Sequence, residues 1–437
     1  MKTLNSIPTN KIERATKLVG TGVKLGGNYL RYYGEKFIFG QNDRSRLDEK
    51  NASDIYDGLK ELKGSALKLA QMLSMEKNLL PKAYVERFSL AQFSVPPLSW
   101  PLVKKSLKRY LGSDPENIFD TFNVKSENAA SIGQVHRATK NGKMLAVKIQ
   151  YPGVANSISS DLSIVKPIAL KIFNLKGKDT EKYFKEVEYK LLEETDYEIE
   201  LKNSQFISKA CSKIPNLIFP NYYPELTTSK TLTMDWMEGT HLSEFVKKNK
   251  TKNNNNMLGQ TLWDFYMFQI HGLKKVQADP HPGNFLVSKK GSLIAIDFGC
   301  IKEIPEDFYV PYFELSKKEN IEDLKVFKGL LKELEILTPY DTKEEVTFFT
   351  SLFQKMMRLF TLPFQSKYFD FSNQQFWEKI SGLLNEFTED PKLRKLNGNR
   401  GSKHFIYINR TFFGLYHLLH DLNAKIETDS YQKYIFN

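Results

Sequence analysis

Val276-Gln277-Ala278-Asp279-Pro280-His281-Pro282-Gly283-Asn284-Phe285, followed by Leu293-Ile294-Ala295-Ile296-Asp297-Phe298-Gly299, is the stretch on which the reading of this chain turns. Asp279 and Asn284 stand five positions apart, a D-x-x-x-x-N spacing, and Asp-Phe-Gly begins thirteen residues after Asn284 at the end of an apolar, strand-like run. In phosphoryl transfer a loop aspartate orients or deprotonates the attacking group. An asparagine and a second aspartate hold the magnesium ions that bridge the phosphates. A small hard cation asks for oxygen ligands, which Asn284 and Asp297 supply. Each tripeptide alone is weak evidence, since Asp-Phe-Gly is a common turn. Their order and spacing become specific when a phosphate-cradling segment lies upstream.

Such a segment is present. Asn128-Ala129-Ala130-Ser131-Ile132-Gly133-Gln134-Val135-His136 follows the pattern G-x-G-x-x-G-x-V, with Gly133 at the third glycine and Val135 at the valine. Asn128 and Ala130 occupy the first two glycine positions, so two Cβ atoms crowd a turn where backbone N–H groups approach phosphate. The span from Val135 to Gln150 reads as a hairpin turning at Lys140-Asn141-Gly142-Lys143. Its second strand, Leu145-Ala146-Val147-Lys148-Ile149-Gln150, matches V-A-I-K and places Lys148 for the α- and β-phosphates. A lysine in an apolar strand needs a carboxylate. The charged segment at 180–210, read as one helix from Tyr183 to Ser208, offers Glu193, Glu194, Glu198 and Glu200. Two more strands follow, at Leu217–Pro220 and Lys230–Trp236. Met234, Asp235 and Met237 then mark a hinge whose backbone would meet adenine.

Composition sets the outer bounds. The 437 residues are 41% hydrophobic and 26% charged, which suits a globular enzyme with a sizeable core. No apolar run of about 18 residues predicts a spanning helix, and the start of the chain lacks an apolar leader. Two cysteines, Cys211 and Cys300, set no disulfide framework and point to a reducing compartment, so the expected location is cytoplasmic, with peripheral membrane contact as the alternative. Cys300, next to Asp-Phe-Gly, reads as a small buried residue. A formal charge of +12 suits an anionic lipid surface, nucleotide or nucleic acid, and equally a lysine-rich solvated surface. No nucleic-acid partner is expected, and the oligomeric state is left open.

The flanks are helical. Residues 11–40 form a basic segment interrupted by glycines, expected to dock on the protein body rather than on a membrane. Residues 53–78 carry a strong helical period, with Lys68 and Gln71 three apart on one face; alone, that face reads as a solvated edge. A helix is expected from Trp100 to Leu111, a polar flexible loop from Lys247 to Asn256, and an apolar helix from Trp263 to Val276. Beyond Gly299 helices are expected at about 305–335, 341–362, 373–388 and 403–423. No A-P-E follows Asp-Phe-Gly, which argues against a peptide-binding activation segment, and the loop reads Gln277-Ala278-Asp279 in place of H-R-D. His281, between two prolines, reads as structural.

Taken together these residues resemble the UbiB/AarF family of atypical kinases, which includes proteins supporting ubiquinone biosynthesis. Lys68-Leu69-Ala70-Gln71 resembles the family's K-x-G-Q signature, Ala129 to His136 its alanine-rich nucleotide loop, Glu194-Thr195-Asp196-Tyr197 its E-x-D-Y segment, and Gln277 to Asn284 its catalytic loop. The resemblance implies an α+β, atypical protein-kinase-like two-lobed fold with a helical N-terminal extension (1–97), an N-lobe (98–237) and a mostly helical C-lobe (238–437). It implies Mg-ATP under Ala129, Ala130, Ser131, Ile132, Gly133, Gln134 and Val135, with Lys148 held by Glu194 and Glu200 a nearby acid. Asp279, Lys148, Lys68 and Gln71 would act at the reacting centre, and Asn284 and Asp297 would bind Mg2+. The implied activity is ATP hydrolysis or transfer coupled to quinone or lipid metabolism, with an anionic membrane lipid or a quinone precursor as candidate partner. Two departures stand out: Ala70 replaces the signature's glycine, and Asn128 the loop's first alanine. The alternatives are a small-molecule phosphotransferase of the aminoglycoside- or choline-kinase type and a nucleotide-gated lipid-binding scaffold.

Overall fold

The computed structural model describes residues 16, 20–21, 24–25, 27–28, 30–32, 44–62, 83, 87, 97–129, 132–172, 180–248, 252–389 and 400–435. Among these, the residues of Met1–Lys202 and Asn221–Trp236 form one compact unit, and those of Asn203–Pro220 and Met237–Asn437 form a second. Lys68, Ala70 and Gln71, and with them Ala130 and Ser131, lie outside the described residues.

The chain runs α1 (Arg44–Leu62), α2 (Trp100–Leu111), α3 (Pro115–Ile118), β1 (Thr121–Phe122), β2 (Asn128–Ala129), β3 (Gly133–Lys140) and β4 (Lys143–Gln150). Next come α4 (Val154–Ile172), α5 (Thr180–Glu194), α6 (Tyr197–Ala210), β5 (Leu217–Ile218) and β6 (Thr231–Asp235). Asn28 donates to Asn51 at 3.0 Å and to Asp54 at 2.7 Å, and a Cβ on Gly58 would lie 2.2 Å from Thr21 Oγ1. The basic segment therefore docks on α1 at its described residues.

The first unit is built on a sheet of order β1-β3-β4-β6, with β2 on the flank of β3. Asn141 and Gly142 both take positive φ, 51° and 73°, the pair that a two-residue hairpin turn requires. This register sets Lys148 opposite Val135 on β3 and Leu232 on β6. The single helix expected over 183–208 is two helices, because the chain breaks at Thr195-Asp196. There the Thr195 carbonyl accepts from Gln150 Nε2 at 2.8 Å and Lys230 Nζ at 2.7 Å, and Asp196 Oδ1 accepts from the Glu198 N–H at 3.0 Å. Side chains thus replace the helical bonds, as at any well-formed helix start.

The second unit continues with β7 (Thr240–His241), α7 (Leu242–Lys248), α8 (Lys252–Met267), β8 (Lys275–Gln277), β9 (Phe285–Val287), β10 (Leu293–Ala295) and β11 (Ile301–Glu303). It goes on with α9 (Glu306–Leu315), α10 (Lys318–Glu322), α11 (Leu324–Glu333), α12 (Lys343–Phe360), β12 (Tyr368–Asp370), α13 (Gln374–Glu389), α14 (Phe405–Asp421), β13 (Lys425–Glu427) and a short α15 (Gln432–Ile435). Leu258, Leu262, Trp263, Phe265, Tyr266 and Met267 are all buried, so from Leu258 on α8 is covered on every side and lies in the core of this unit. The asparagine run expected to be a loop opens this helix instead. Asn256 explains part of the reason: its Oδ1 accepts from the Lys425 N–H at 2.8 Å, tying the helix start to β13. The helix does not reach Val276. A π-turn at Phe268–Gly272 ends it, and β8 then pairs antiparallel with β11.

Two buried histidines are held neutral. His136 Nδ1 faces the Asn123 carbonyl at 2.8 Å and so carries the proton; Nε2 then accepts from Gln134 Nε2 at 2.7 Å. Burial lowers its pKa. His271 sits 2.7 Å from the Tyr309 hydroxyl, and burial, reinforced by the Lys274 charge, depresses it to about 3. Both folded-state values lie below the ordinary 6.5, so the unfolded chain takes up protons first as the pH falls. Stability is therefore complete above pH 6.5 and is expected to fall below it, at up to about 1.4 kcal/mol per pH unit for each imidazole. Urea midpoints between pH 7.5 and 5 measure this; a midpoint independent of pH contradicts both neutral assignments.

Candidate phosphoryl-transfer site

In the first unit the strand lysine has found its carboxylate. Lys148 Nζ donates to both oxygens of Glu200, at 2.7 and 2.9 Å, with the glutamate side chain only 3% exposed. The resemblance named Glu194 as the residue holding Lys148 and Glu200 as a nearby acid; the carboxylate bonded to Lys148 by both oxygens is Glu200, one turn into α6, while Glu194 ends α5. The restarted helix, rather than the acidic run as a whole, decides which glutamate meets the strand. Tyr197, at the start of α6, adds its ring 5.0 Å below the ammonium.

Gly133 is constrained by the same tyrosine. A Cβ there would lie 2.7 Å from Tyr197 Oη and 2.6 Å from the Ile149 carbonyl. Packing against α6 and β4 by itself requires glycine at this position. The Gln134 side chain has partners of its own. It is buried, its Oε1 accepts from the Leu98 N–H at 2.7 Å, and its amide goes to His136. Ala129 pairs with it across β2 and β3, Val135 lies opposite Lys148, and the Ile132 carbonyl accepts from the Tyr151 N–H at 2.9 Å. At the expected hinge, Met234 is buried on β6, and the Asp235 carboxylate is engaged by Asn221 Nδ2 at 2.6 Å and Tyr223 Oη at 2.6 Å. Met237 is the first residue of the second unit's main segment.

In the second unit the catalytic-loop residues and Asp-Phe-Gly are brought together. Asn284 Nδ2 donates to the Asp279 carbonyl at 2.8 Å, which fixes the amide flip and leaves its Oδ1 as the oxygen for a cation. The Asn284 carbonyl accepts from the Ile296 N–H at 3.1 Å, and Asp297 Oδ1 accepts from the Gly299 N–H at 3.0 Å. Phe298 is fully buried. Gln277 joins the two stretches: its amide donates to the Asp297 carbonyl at 2.6 Å, and its Oε1 accepts from Tyr266 Oη at 2.6 Å. Burial, and secondarily the Asp279 charge, hold the Tyr266 phenol well above its ordinary pKa, so it remains a donor. His281 is structural, its Nδ1 accepting from the Gly283 N–H at 3.0 Å. Asp279 Oδ1 accepts from Arg410 Nη2 at 2.5 Å. Sequence reasoning placed a helix at about 403–423 and gave Arg410 on it no role. A charge among aromatic residues was the available signal, and the same argument had served for Lys148.

Comparison with known proteins now bears on this geometry. Residues 90–328 match the family model described as ABC1 atypical kinase-like domain, more than half of the chain. The chain belongs to the ABC1 atypical kinase-like family. Atypical kinase COQ8, mitochondrial, of Saccharomyces cerevisiae is 27% identical over 454 residues, covering 99% of this chain and 86% of that protein. Atypical kinase COQ8B, mitochondrial, of Danio rerio is 27% identical over 392 residues; the match takes in 86% of this chain and 62% of the relative, less than two thirds of its length. Among solved structures, the complex of Rv3197 with erythromycin from Mycobacterium tuberculosis superposes with a TM-score of 0.61 at 24% identity, over 89% of this chain and 96% of that one. That likeness is one of fold. The family membership expected from the motifs and the kinase-like α+β fold are thereby shown.

Removing Glu200 would take from the largely buried Lys148 ammonium the carboxylate that accepts two of its hydrogen bonds. Glu200→Ala is expected to cost about 3–5 kcal/mol of stability by urea unfolding, and the paired change Lys148→Met with Glu200→Leu to restore most of it. A Glu200→Ala protein as stable as the parent would show that the pair is not the one that matters.

Proposed function

We propose that this ABC1-family chain binds Mg-ATP and cleaves it, passing the γ-phosphoryl group to water or to a small hydroxyl acceptor in support of quinone or lipid metabolism at a membrane surface. The observation that carries this reading is the joined set Asp279, Asn284 and Asp297, held by the bonds of Gln277 and Asn284. The residues fit the group. Asn284 presents an oriented amide oxygen and Asp297 a carboxylate steadied by Gly299, two hard ligands of the kind magnesium takes when phosphates and water complete its shell. When bound, the ion would neutralise charge on the β- and γ-phosphates. Lys148, preset by Glu200, is suited to the α- and β-phosphates, and Asp279 to orienting the attacking oxygen.

Lys68 and Gln71 enter this proposal through the family signature alone. The lack of an A-P-E sequence argues against a protein substrate. No helix among the described residues is long and apolar enough to cross a membrane, so the lipid contact we propose is peripheral, through the basic surface. The named relatives are mitochondrial proteins.

Phosphate release from Mg-ATP by the purified chain, with and without anionic liposomes and a phenolic quinone precursor, tests the reading. Release is expected to rise with liposomes and to fall by about 10²-fold or more in Asp297→Asn, as loss of preorganised charge stabilisation predicts. Unchanged turnover in that variant sinks the assignment. Tight Mg-nucleotide binding without any release would favour a nucleotide-gated scaffold, and fast phosphorylation of one free alcohol a small-molecule phosphotransferase.

A further inference from the structure

The loop that carries Asp279 rests on a helix more than a hundred residues away. On α14, Arg410 and Gly414 are four apart and so share a face. Arg410 Nη2 donates to Asp279 Oδ1 at 2.5 Å, with the arginine side chain 5% exposed. One turn on, a Cβ at Gly414 would sit 2.2 Å from Pro280 Cγ and 3.2 Å from the Pro280 carbonyl. Two successive turns of the helix are thus matched to two successive loop residues. The helix itself is anchored: Asn409 accepts from Tyr312 Oη at 2.9 Å, Tyr416 Oη donates to the Phe360 carbonyl at 2.9 Å, and His420 Nδ1 meets the Phe371 carbonyl at 2.9 Å.

We infer that α14 positions the catalytic loop, with Arg410 orienting the Asp279 carboxylate and Gly414 seating Pro280. Both act through Asp279, and neither need touch the nucleotide. The charge-assisted bond fixes which way the carboxylate faces. The absent side chain at Gly414 lets the loop backbone lie against the helix; a methyl there would displace Pro280, and with it the carbonyl of Asp279 that orients Asn284. The inference rests on the phosphoryl-transfer reading for its catalytic consequence, and on the fold alone for its structural one.

The test combines ATP turnover with hydrogen exchange at the amides of His281 and Asn284, which bond to the Asp279 and His281 carbonyls within the loop. In Arg410→Gln, kcat is expected to fall about 10²-fold, the scale of a small misplacement of a reacting group, with KM for ATP unchanged. Exchange at both amides should quicken. Arg410→Lys, which keeps charge without the planar fork, should retain more of kcat. Gly414→Ala should reproduce the kcat loss, although alanine is the better helix former. In an Asp279→Asn background Arg410→Gln should cost nothing further, whereas a merely structural role would multiply the two losses. Wild-type protein that releases no phosphate overturns the functional reading alone, and exchange then decides the positioning claim. Unchanged exchange in Arg410→Gln overturns it, as does additivity of the two substitutions.

Discussion

Gln277 is the residue on which the second unit's site depends. It is 1% exposed and bonded at both ends of its amide: Oε1 accepts from Tyr266 Oη and Nε2 donates to the Asp297 carbonyl, while its backbone N–H donates to Gln269 Oε1 at 3.0 Å. A partnered polar group in a dry core specifies a single arrangement, because every slipped alternative leaves a donor or acceptor unmet at about 1–3 kcal/mol each. The strand pair formed by Gln277 with Ile301, and the bond from the Ala278 N–H to the Cys300 carbonyl at 2.8 Å, add backbone constraints on either side. The departure from H-R-D therefore has physical content. A glutamine at the first position links the loop to Asp-Phe-Gly, and an alanine at the second is simply buried.

Each unit also keeps a buried ion pair with a chemical purpose. Lys148–Glu200 and Arg410–Asp279 both withdraw charges from water, which costs several kcal/mol per ion and makes neither an efficient source of stability. What they provide is orientation. In the first, the acid presets an ammonium on a strand. In the second, a guanidinium presets a carboxylate on a loop. Tyr197 extends the first arrangement to Gly133, so that the nucleotide-loop strand, the lysine and the acidic helix are fixed by contacts around one ring.

What could be read from the sequence was mostly local. Asn141-Gly142 specified the hairpin, and that hairpin put Lys148 on an apolar strand. The helix Trp100–Leu111 ended at Gly112, and Asp279, Asn284 and Asp297 were legible because loop chemistry fixes their spacing. The errors came where a distant partner overruled local preference. The one helix expected over 183–208 is two, with Gln150 and Lys230 bonded to the Thr195 carbonyl at the break, and Glu200 beyond it meets Lys148. The asparagine run became helix, with Asn256 bonded to a strand 169 residues later. Arg410, 131 residues from Asp279, could be suspected only from its charge among aromatic neighbours.

Gln277 ties the loop that carries Asn284 to Asp297, and the magnesium–phosphate site we propose depends on that bond. Calorimetric titration of ATP into the protein, in magnesium and in a chelator, tests it most directly, with Gln277→Leu beside the parent. Magnesium is expected to strengthen ATP binding in the parent by about tenfold or more, a difference of about 1.4 kcal/mol. Gln277→Leu is expected to lose that gain while keeping the metal-free affinity. Equal affinities with and without magnesium in the parent, or an undiminished gain in the variant, would contradict it.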